Sequence, residues 1–559
     1  GGTTISYRSG AATVPCGLKL NAGNTLIGNG YNSVLKTKSA THVVPLCADT
    51  VNNITAKNLR IDGNIAGVAT PLTVQEFGMY FQTCNDVTLD DIWIEDTGSN
   101  THEIILCNRV RIGSLYAQTN TASGSQGGGP QFEDCTDVVC QSIAGDTFDD
   151  LVSVIADSSN ISDHVCASIV GSSENARALF IGLGTATVTK RSIKNITARV
   201  NSNTCGKIGV TAAMMLGKGA DYSNVVINGV DRGSHISLRV VPYDGTHNGT
   251  VKNCKFNIVS YDSDNSAIEI FHNDNVATVI ENNSLIAQVY DSNQDDLAAN
   301  EAIYVYAGSD WNMDLDIFQP SGKTNPAIGV RLGVGGGTYN KVTDSVIRGT
   351  MNGGNAPISM PHAQNNSFPF LKTLNSEQAS NIDIDIAAAS TGNSFGALFR
   401  GGLFRDLSVS AQTTFKTLSR NITQVSSSGT GEDNLMTYSL PADQLGAYGN
   451  MKIRASGTIT GTAGTKTIRF YFGASSTQLA AALAATTGDW VAEFEIMANG
   501  STGLQKVVTK AWVNGVVTAA DYNGAFSIDT TSAVTIKLTG ECANAADAVL
   551  QAMFLIEGS

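Results

Sequence analysis

Apolar and polar residues alternate along this chain with a period of two, in short runs, and almost nowhere with a helical period. The runs can be stacked. They read GMYF at 78, EIIL at 103, GPQF at 129, LVSV at 151, ALFI at 178, AAMM at 212, ISLR at 236, AIEI at 267, AIYV at 302 and AIGV at 327, with IDID at 382 continuing the series. Neighbouring runs up to 327 lie between 22 residues (129 to 151) and 35 residues (267 to 302) apart. Short strands at such a repeat, separated by polar turns of varying length, predict a solenoid: a parallel β-helix with one coil per repeat. Propeller blades repeat at about 40 residues or more and carry hairpin signals, so they suit these rungs poorly.

A second column supports the coils. After the first strand comes an Asn and a β-branched alternation, as in Asn53-Ile54-Thr55, Asn85-Asp86-Val87, Asn108-Arg109-Val110, Asn160-Ile161-Ser162, Asn195-Ile196-Thr197 and Asn224-Val225-Val226. Asn tolerates left-handed backbone, and its amide can bond the Asn of the next coil. Cys47, Cys84 and Cys107 each end a first strand. With no CxxC or zinc spacing among the ten cysteines, these read as small buried thiols. The pattern fades near 400. Entry coils are expected at 1–40, the β-helix at 41–410, and a Ser/Thr/Gly-rich linker at 411–433. Longer strands follow, including LMTYSL at 435, KTIRFYFG at 466, VAEFEIMANG at 491 and AVLQAMFLIEG at 548. They predict a jelly-roll-like β-sandwich over 434–559.

Composition narrows the classes. At 559 residues the chain exceeds what one core usually supports unless the fold is a repeat. Only 15% of residues are charged and glycines number 57, as suits a turn-rich, all-β protein. The net charge of −14 argues against nucleic acid and anionic membranes, which select basic patches. No run of 18 apolar residues occurs, so no membrane insertion is expected, and no signal peptide is visible. The opening Gly1-Gly2-Thr3 lacks Met, which leads us to expect a segment upstream.

Two places offer chemistry. The first is GDTFDDLVSV at 145–154, where Asp146, Asp149 and Asp150 crowd the mouth of a strand. One coil later SSENARALF supplies Glu174 and Arg177. Stacked coils lie about 4.8 Å apart, so Asp149 or Asp150 is expected within carboxylate-pair distance of Glu174, with Asp146 and Arg177 binding substrate. Glycoside hydrolysis needs two carboxyls, one protonated and one ionised, and crowding holds one of them protonated. Asp residues that cap the turn are the alternative. The second place is the outward face of the first strands. With Val152 and Val154 inward, one outward column is Ser153, Phe180, Ser237, Glu269, Tyr304 and Gly329. Its neighbour is Ile155, Gly182, Arg239, Phe271, Tyr306 and Arg331. Rings stack on sugars and Arg holds hydroxyls or carboxylates, so Arg239, Tyr304, Tyr306 and Arg331 are candidate substrate contacts around Glu269. A face between subunits would use the same residues. His235, Asp244, His272, Asp274 and Asp310 fall in the turns on either side. A lyase would instead need a base and a cation, for which His272 and Arg239 are available. No nucleophile elbow, EF-hand or HExxH occurs, so neither metal nor cofactor is expected.

The opening VPCGLKLNAGNTLIGNGYNSVLK is similar to the entry coils of pectin-lyase-like β-helices. SSSGTGEDNLMTYSLPADQLGAYGNMKIRASGTITG looks like the carboxy-terminal sandwich of phage tail and fibre proteins. Together they resemble the tailspike depolymerases of tailed bacteriophages over nearly the whole chain. That resemblance implies a right-handed β-helix, a homotrimer on the virion, and cleavage of a bacterial capsule or O-antigen polysaccharide; the carboxyls lead us to expect glycoside hydrolysis, with β-elimination on the same fold as the first rival. A spike that binds without cleaving is the second rival. GDTFDDLVSV also resembles the Asp-Asp of polygalacturonase-like β-helices, which carries acid and base roles onto Asp149 and Asp150. The Gly-His-Gly and Arg-x-Lys of that pattern are absent here.

Overall fold

The computed structural model describes residues 3–6, 13–37, 43–64, 77–119, 127–184, 190–206, 211–217, 219–243, 247–272, 279–295, 300–320, 327–334, 339–374, 382–400, 403–406, 414–446, 449–480, 487–514, 516–517 and 522–558. These carry strands and no helix. The chain divides into two units, residues 1–330 with 337–340, and residues 331–336 with 341–559.

In the first unit each coil lays down a short strand and then a longer one. His102–Ile105 is followed by Asn108–Thr119, and Pro130–Glu133 by Thr136–Thr147. Each strand pairs in parallel with its counterpart one coil away, so the unit is the expected parallel β-helix. The inward column Phe81, Ile104, Phe132, Val154, Ile181, Leu216, Val240, Ile270 and Val305 is in register throughout. None of these side chains is more than 1% exposed. Each contributes about 1.5–3 kcal/mol by leaving water, and this stacked interior is what makes a solenoid stable.

A corner near the start of the longer strand is built from residues that tolerate left-handed backbone. Asn53, Asp86, Arg109, Asp137, Asp163, Asn195, Asn224, Asn253, Asn282 and Asp310 all have φ between 51° and 61°. Such a φ costs most side chains about 1–2 kcal/mol, and Asn and Asp less, because their short polar side chains bond locally. The sequence reading placed this corner correctly at Asn53, Asn195 and Asn224. It fell one residue early at Asn85 and Asn108, and three early at Asn160. Arg109 is the exception by type, and its guanidinium forks onto Asp86 of the coil before at 2.6 and 2.8 Å. From residue 221 the longer strand is divided at this corner, into Asp221–Ser223 and Val226–Arg232 and then Thr250–Lys252 and Lys255–Tyr261.

Eight cysteines are buried thiols, as expected. Cys16 and Cys47 are not: they form a disulfide, with Cα atoms 5.9 Å apart. Their strands pair in parallel, with Cys16 opposite Val44 and Cys47 opposite Lys19, so the two thiols meet diagonally across neighbouring coils.

The second unit has parallel coils of its own, as in Ser367–Leu374 against Ser394–Arg400. Two antiparallel sheets follow. One orders Glu432–Leu440, Val534–Cys542, Lys466–Phe472 and Ser475–Ala480. The other joins Ala548–Gly558, Asn450–Thr460, Thr487–Ser501 and Leu504–Val513. Their shared core includes Leu440, Phe470, Ile536, Trp490, Phe494 and Phe554, and the Phe470 and Phe494 rings stack 4.1 Å apart. The stretch read as a linker at 411–433 instead contains Thr414–Asn421 and Val425–Ser426, both antiparallel to Ala548–Gly558. Thr is β-branched, so a Thr-rich composition fits a strand as well as a tether.

Candidate active site

Strand register fixes which side chains share the outward face of the first sheet. Glu103, Gln131, Ser153, Phe180, Met215, Arg239, Glu269 and Tyr304 form one column. Two expected members change. Ser237 is not in it; its hydroxyl is fully buried, 2.7 Å from Asp231 and 2.6 Å from Ser260. Arg239 takes that place and so stands directly beside Glu269. In the neighbouring column Gly182 is followed by Gly217.

The acid cluster at the strand mouth separates into different roles. Asp150 accepts four hydrogen bonds: Arg177 Nε at 2.6 Å, Arg177 Nη2 at 2.9 Å, the Arg177 amide at 3.1 Å and Ser153 Oγ at 3.1 Å. The Arg177 guanidinium lies 4.1 Å over the Phe180 ring. An ionised carboxylate filled this way is a poor proton carrier, because either base or acid duty breaks a buried ion pair. Asp149 anchors the turn through its backbone, with its carbonyl bonded by Thr147 and Ser173 hydroxyls at 2.6 and 2.8 Å. Asp146 lies in the second strand, exposed, and accepts from Ser172 at 2.6 Å. Glu174 is exposed on the next turn, its amide bonded to the Thr147 carbonyl.

Glu269 is different. Its side chain is only 12% exposed, and Arg239 Nε lies 3.0 Å from Oε2 without the alignment of a hydrogen bond. Burial pushes its pKa up, and Arg239, Ser266 and His235 only partly oppose that. Rings continue the surface: Phe271 and Tyr306 are 4.3 Å apart, and Tyr304 and Tyr306 4.0 Å. His235 and the carboxylates of Asp264 and Asp295 have ligand atoms within 4.8 Å of one another. His235 is among the expected turn residues, whereas Asp264 and Asp295 are not, because nothing in the order of residues shows that three successive turns bring them together. His272 is buried, and Asp310 is an exposed corner residue. Asp244 and Asp274 lie outside the described residues, and Arg331 belongs to the second unit.

A further carboxyl pair was not anticipated. Glu103 is 1% exposed and accepts from Asn100 Nδ2 and Gln131 Nε2, both at 2.9 Å. The same Gln131 amide reaches Glu133 at 3.1 Å. Burial, then the Glu133 charge, pushes the Glu103 pKa up to about 8. The run EIIL reads as an ordinary strand, so its first residue gave no signal.

Two more groups of acids have the spacing a cation needs, Asp62 with Glu95 and Asp96, and Glu133 with Asp134 and Asp157. In the second, Asp134 already accepts from three backbone amides and the Ser158 hydroxyl, the pattern of a turn cap.

The fold and this face define a parallel β-helix protein with a carboxy-terminal antiparallel sandwich and an outward, carboxyl-bearing aromatic surface. Among solved structures, the chain is similar to the tailspike protein gp49 of Acinetobacter baumannii bacteriophage Fri1, a capsular polysaccharide depolymerase. Identity is 10%, over 91% of this chain and 79% of that one, with a TM-score of 0.24. It is also similar to the enzymatically active domain of bacteriophage CBA120 tailspike protein 2, at 13% identity over 98% and 84%, with a TM-score of 0.22. At such scores the likeness carries no argument, and the fold rests on the strand pairing above. No family model and no curated protein matches the chain.

Proposed function

We propose that this protein is a phage tailspike that binds and cleaves a bacterial surface polysaccharide, capsule or O-antigen, by glycoside hydrolysis at the Glu269 face, as a homotrimer on the virion. The observation that carries the reading is Glu269 itself. It is a nearly enclosed carboxyl on the outward face, in register with Arg239 on one side and Tyr304 on the other, with its proton affinity raised. Glu269 acts as the general acid and protonates the leaving glycosidic oxygen. Asp264 and Asp295, beside His235, supply the carboxylate that activates water. Tyr304, Tyr306 and Phe271 stack on sugar faces, and Arg239 holds the acid in place. Asp150 and Arg177 brace the coils below, so they keep a structural role.

The test is size-exclusion analysis of a capsule and O-antigen panel after incubation with wild type, Glu269→Gln and Asp150→Asn. Hydrolysis at this face predicts that wild type shortens one polymer, that Glu269→Gln does not, and that folded Asp150→Asn still does. Loss with Asp150→Asn alone would return the chemistry to the strand mouth. Shortening accompanied by the ultraviolet absorbance of an unsaturated uronate would mean elimination. Binding without shortening would leave a receptor-binding spike.

A further inference from the structure

A groove of about 660 Å³ runs across the outer face of the second strands, on a different sheet from Glu269. Register orders its lining. One column runs Arg199, Asn228, Asn257, Ile286, and the next runs Asn201, Val230, Val259, Gln288. Among the described residues that line it, two are arginines, Arg199 and Arg232, and none is Asp or Glu. That is notable in a chain of net charge −14. The Asn257 amide bonds Asn228 at 2.7 Å, so the two carboxamides hold one orientation. Arg232 is held as well: its guanidinium lies 4.1 Å over Tyr261, whose ring stacks on Tyr290 at 5.1 Å. One coil beyond Ile286 and Gln288 come Asp314 and Asp316, which end the cationic stretch.

We propose that this groove is a second, non-catalytic binding site for an anionic polysaccharide, one whose sugars carry carboxylates. Charge complementarity selects the class. Two arginines without an opposing acid attract an anion, and a guanidinium pairs with a carboxylate in a two-pronged bond. The rest of the lining fits sugars rather than a protein surface. Amides at 201, 228, 257 and 288 suit hydroxyls, while Val230, Val259 and Ile286 offer flat apolar ground to ring C–H faces. The pattern repeats coil by coil along one axis, as a polymer of rings does. Such a site would keep the enzyme on its polymer between cuts.

The test uses the full chain carrying Glu269→Gln, so that binding is read apart from cleavage. Labelled hyaluronan, heparosan and polysialic acid are titrated, each beside its carboxyl-reduced form. At least one acidic polymer should bind, and its reduced form should bind at least about tenfold more weakly, the loss expected when charged hydrogen bonds go. Arg199→Ala with Arg232→Ala should cause a loss of the same size. On an otherwise wild-type chain that pair should leave the rate at saturating polymer unchanged. Equal binding of acidic and reduced polymers, unchanged binding by the double variant, or no binding to any acidic polymer would overturn the proposal. So would a change of oligomeric state in Arg199→Glu with Arg232→Glu, since the face would then be a subunit contact. Failure of Glu269 as the acid would show in chain shortening alone and leave these titrations intact.

Discussion

Buried ionisable residues make stability depend on pH in a direction that can be worked out. His102 and His164 lie inside the coil, and burial lowers their pKa values to about 3 and about 4. Their unfolded forms bind protons first, so stability is full above about 6.5 and is lost as pH falls from there. Glu103 has the opposite sign. With its pKa raised to about 8, the folded state holds its proton longer, and stability falls as pH rises from about 4.5 towards 8. Glu269 and Asp231, whose pKa values burial also raises, act in the same direction as Glu103. Glu103→Gln should therefore lessen the fall in thermal stability as pH rises from about 4.5 to 8, relative to wild type. Parallel wild-type and Glu103→Gln curves over that range would rule out a buried neutral Glu103. Glu269 gives a second prediction. A general acid loses activity as pH rises through its pKa, and Arg239 holds that pKa down. Arg239→Met should move the alkaline limb of kcat/KM to higher pH. A limb that stays put would mean Glu269 is not the titrating acid.

Among the elements, the turn chemistry can be tested most sharply. The corner column needs positive φ, so Asn195→Val should cost about 1–2 kcal/mol and Asn195→Gly much less, read from chemical denaturation. Glycines 145 and 171 combine positive φ, 158° and 152°, with close stacking. A Cβ on Gly171 would lie 1.8 Å from the Gly145 carbonyl oxygen, and one on Gly145 1.9 Å from that of Ala117. Backbone cannot yield like a flexible side chain, so Gly171→Ala should destabilise the coils more than Asn195→Val. The strands themselves were legible in the sequence because alternation survives any loop length. Register was not. Ser237 and Arg239 have the same parity, and both fit an outward column; only stacking on Met215 and Glu269 chooses Arg239. For the same reason Glu269 could be picked out of its strand, while Asp264 and Asp295, each set by its own turn, could not.

For the first unit as a whole, the governing fact is that each coil is stabilised by its neighbours, so cooperativity runs along one dimension and the ends are weakest. Strand Thr13–Leu20 pairs in parallel with Val44–Asp49 on one side, and on the other, among the described residues, with the short antiparallel Thr3–Ser6. The Cys16–Cys47 disulfide ties this entry strand to the next coil and closes a loop of 31 residues. A cross-link over a loop of that size stabilises by about 3 kcal/mol or somewhat more, chiefly by restricting the unfolded chain. In a globular domain that loss would spread through one cooperative transition. In a stack of coils it stays local, because coils far from the entry keep both neighbours. Cys16→Ser should therefore speed amide hydrogen exchange over residues 13–36 and leave protection of the strands from Pro130–Glu133 to Ile236–Val240 unchanged. Equal loss of protection along the unit would mean that the coils unfold as one body, with the entry strand setting the stability of them all.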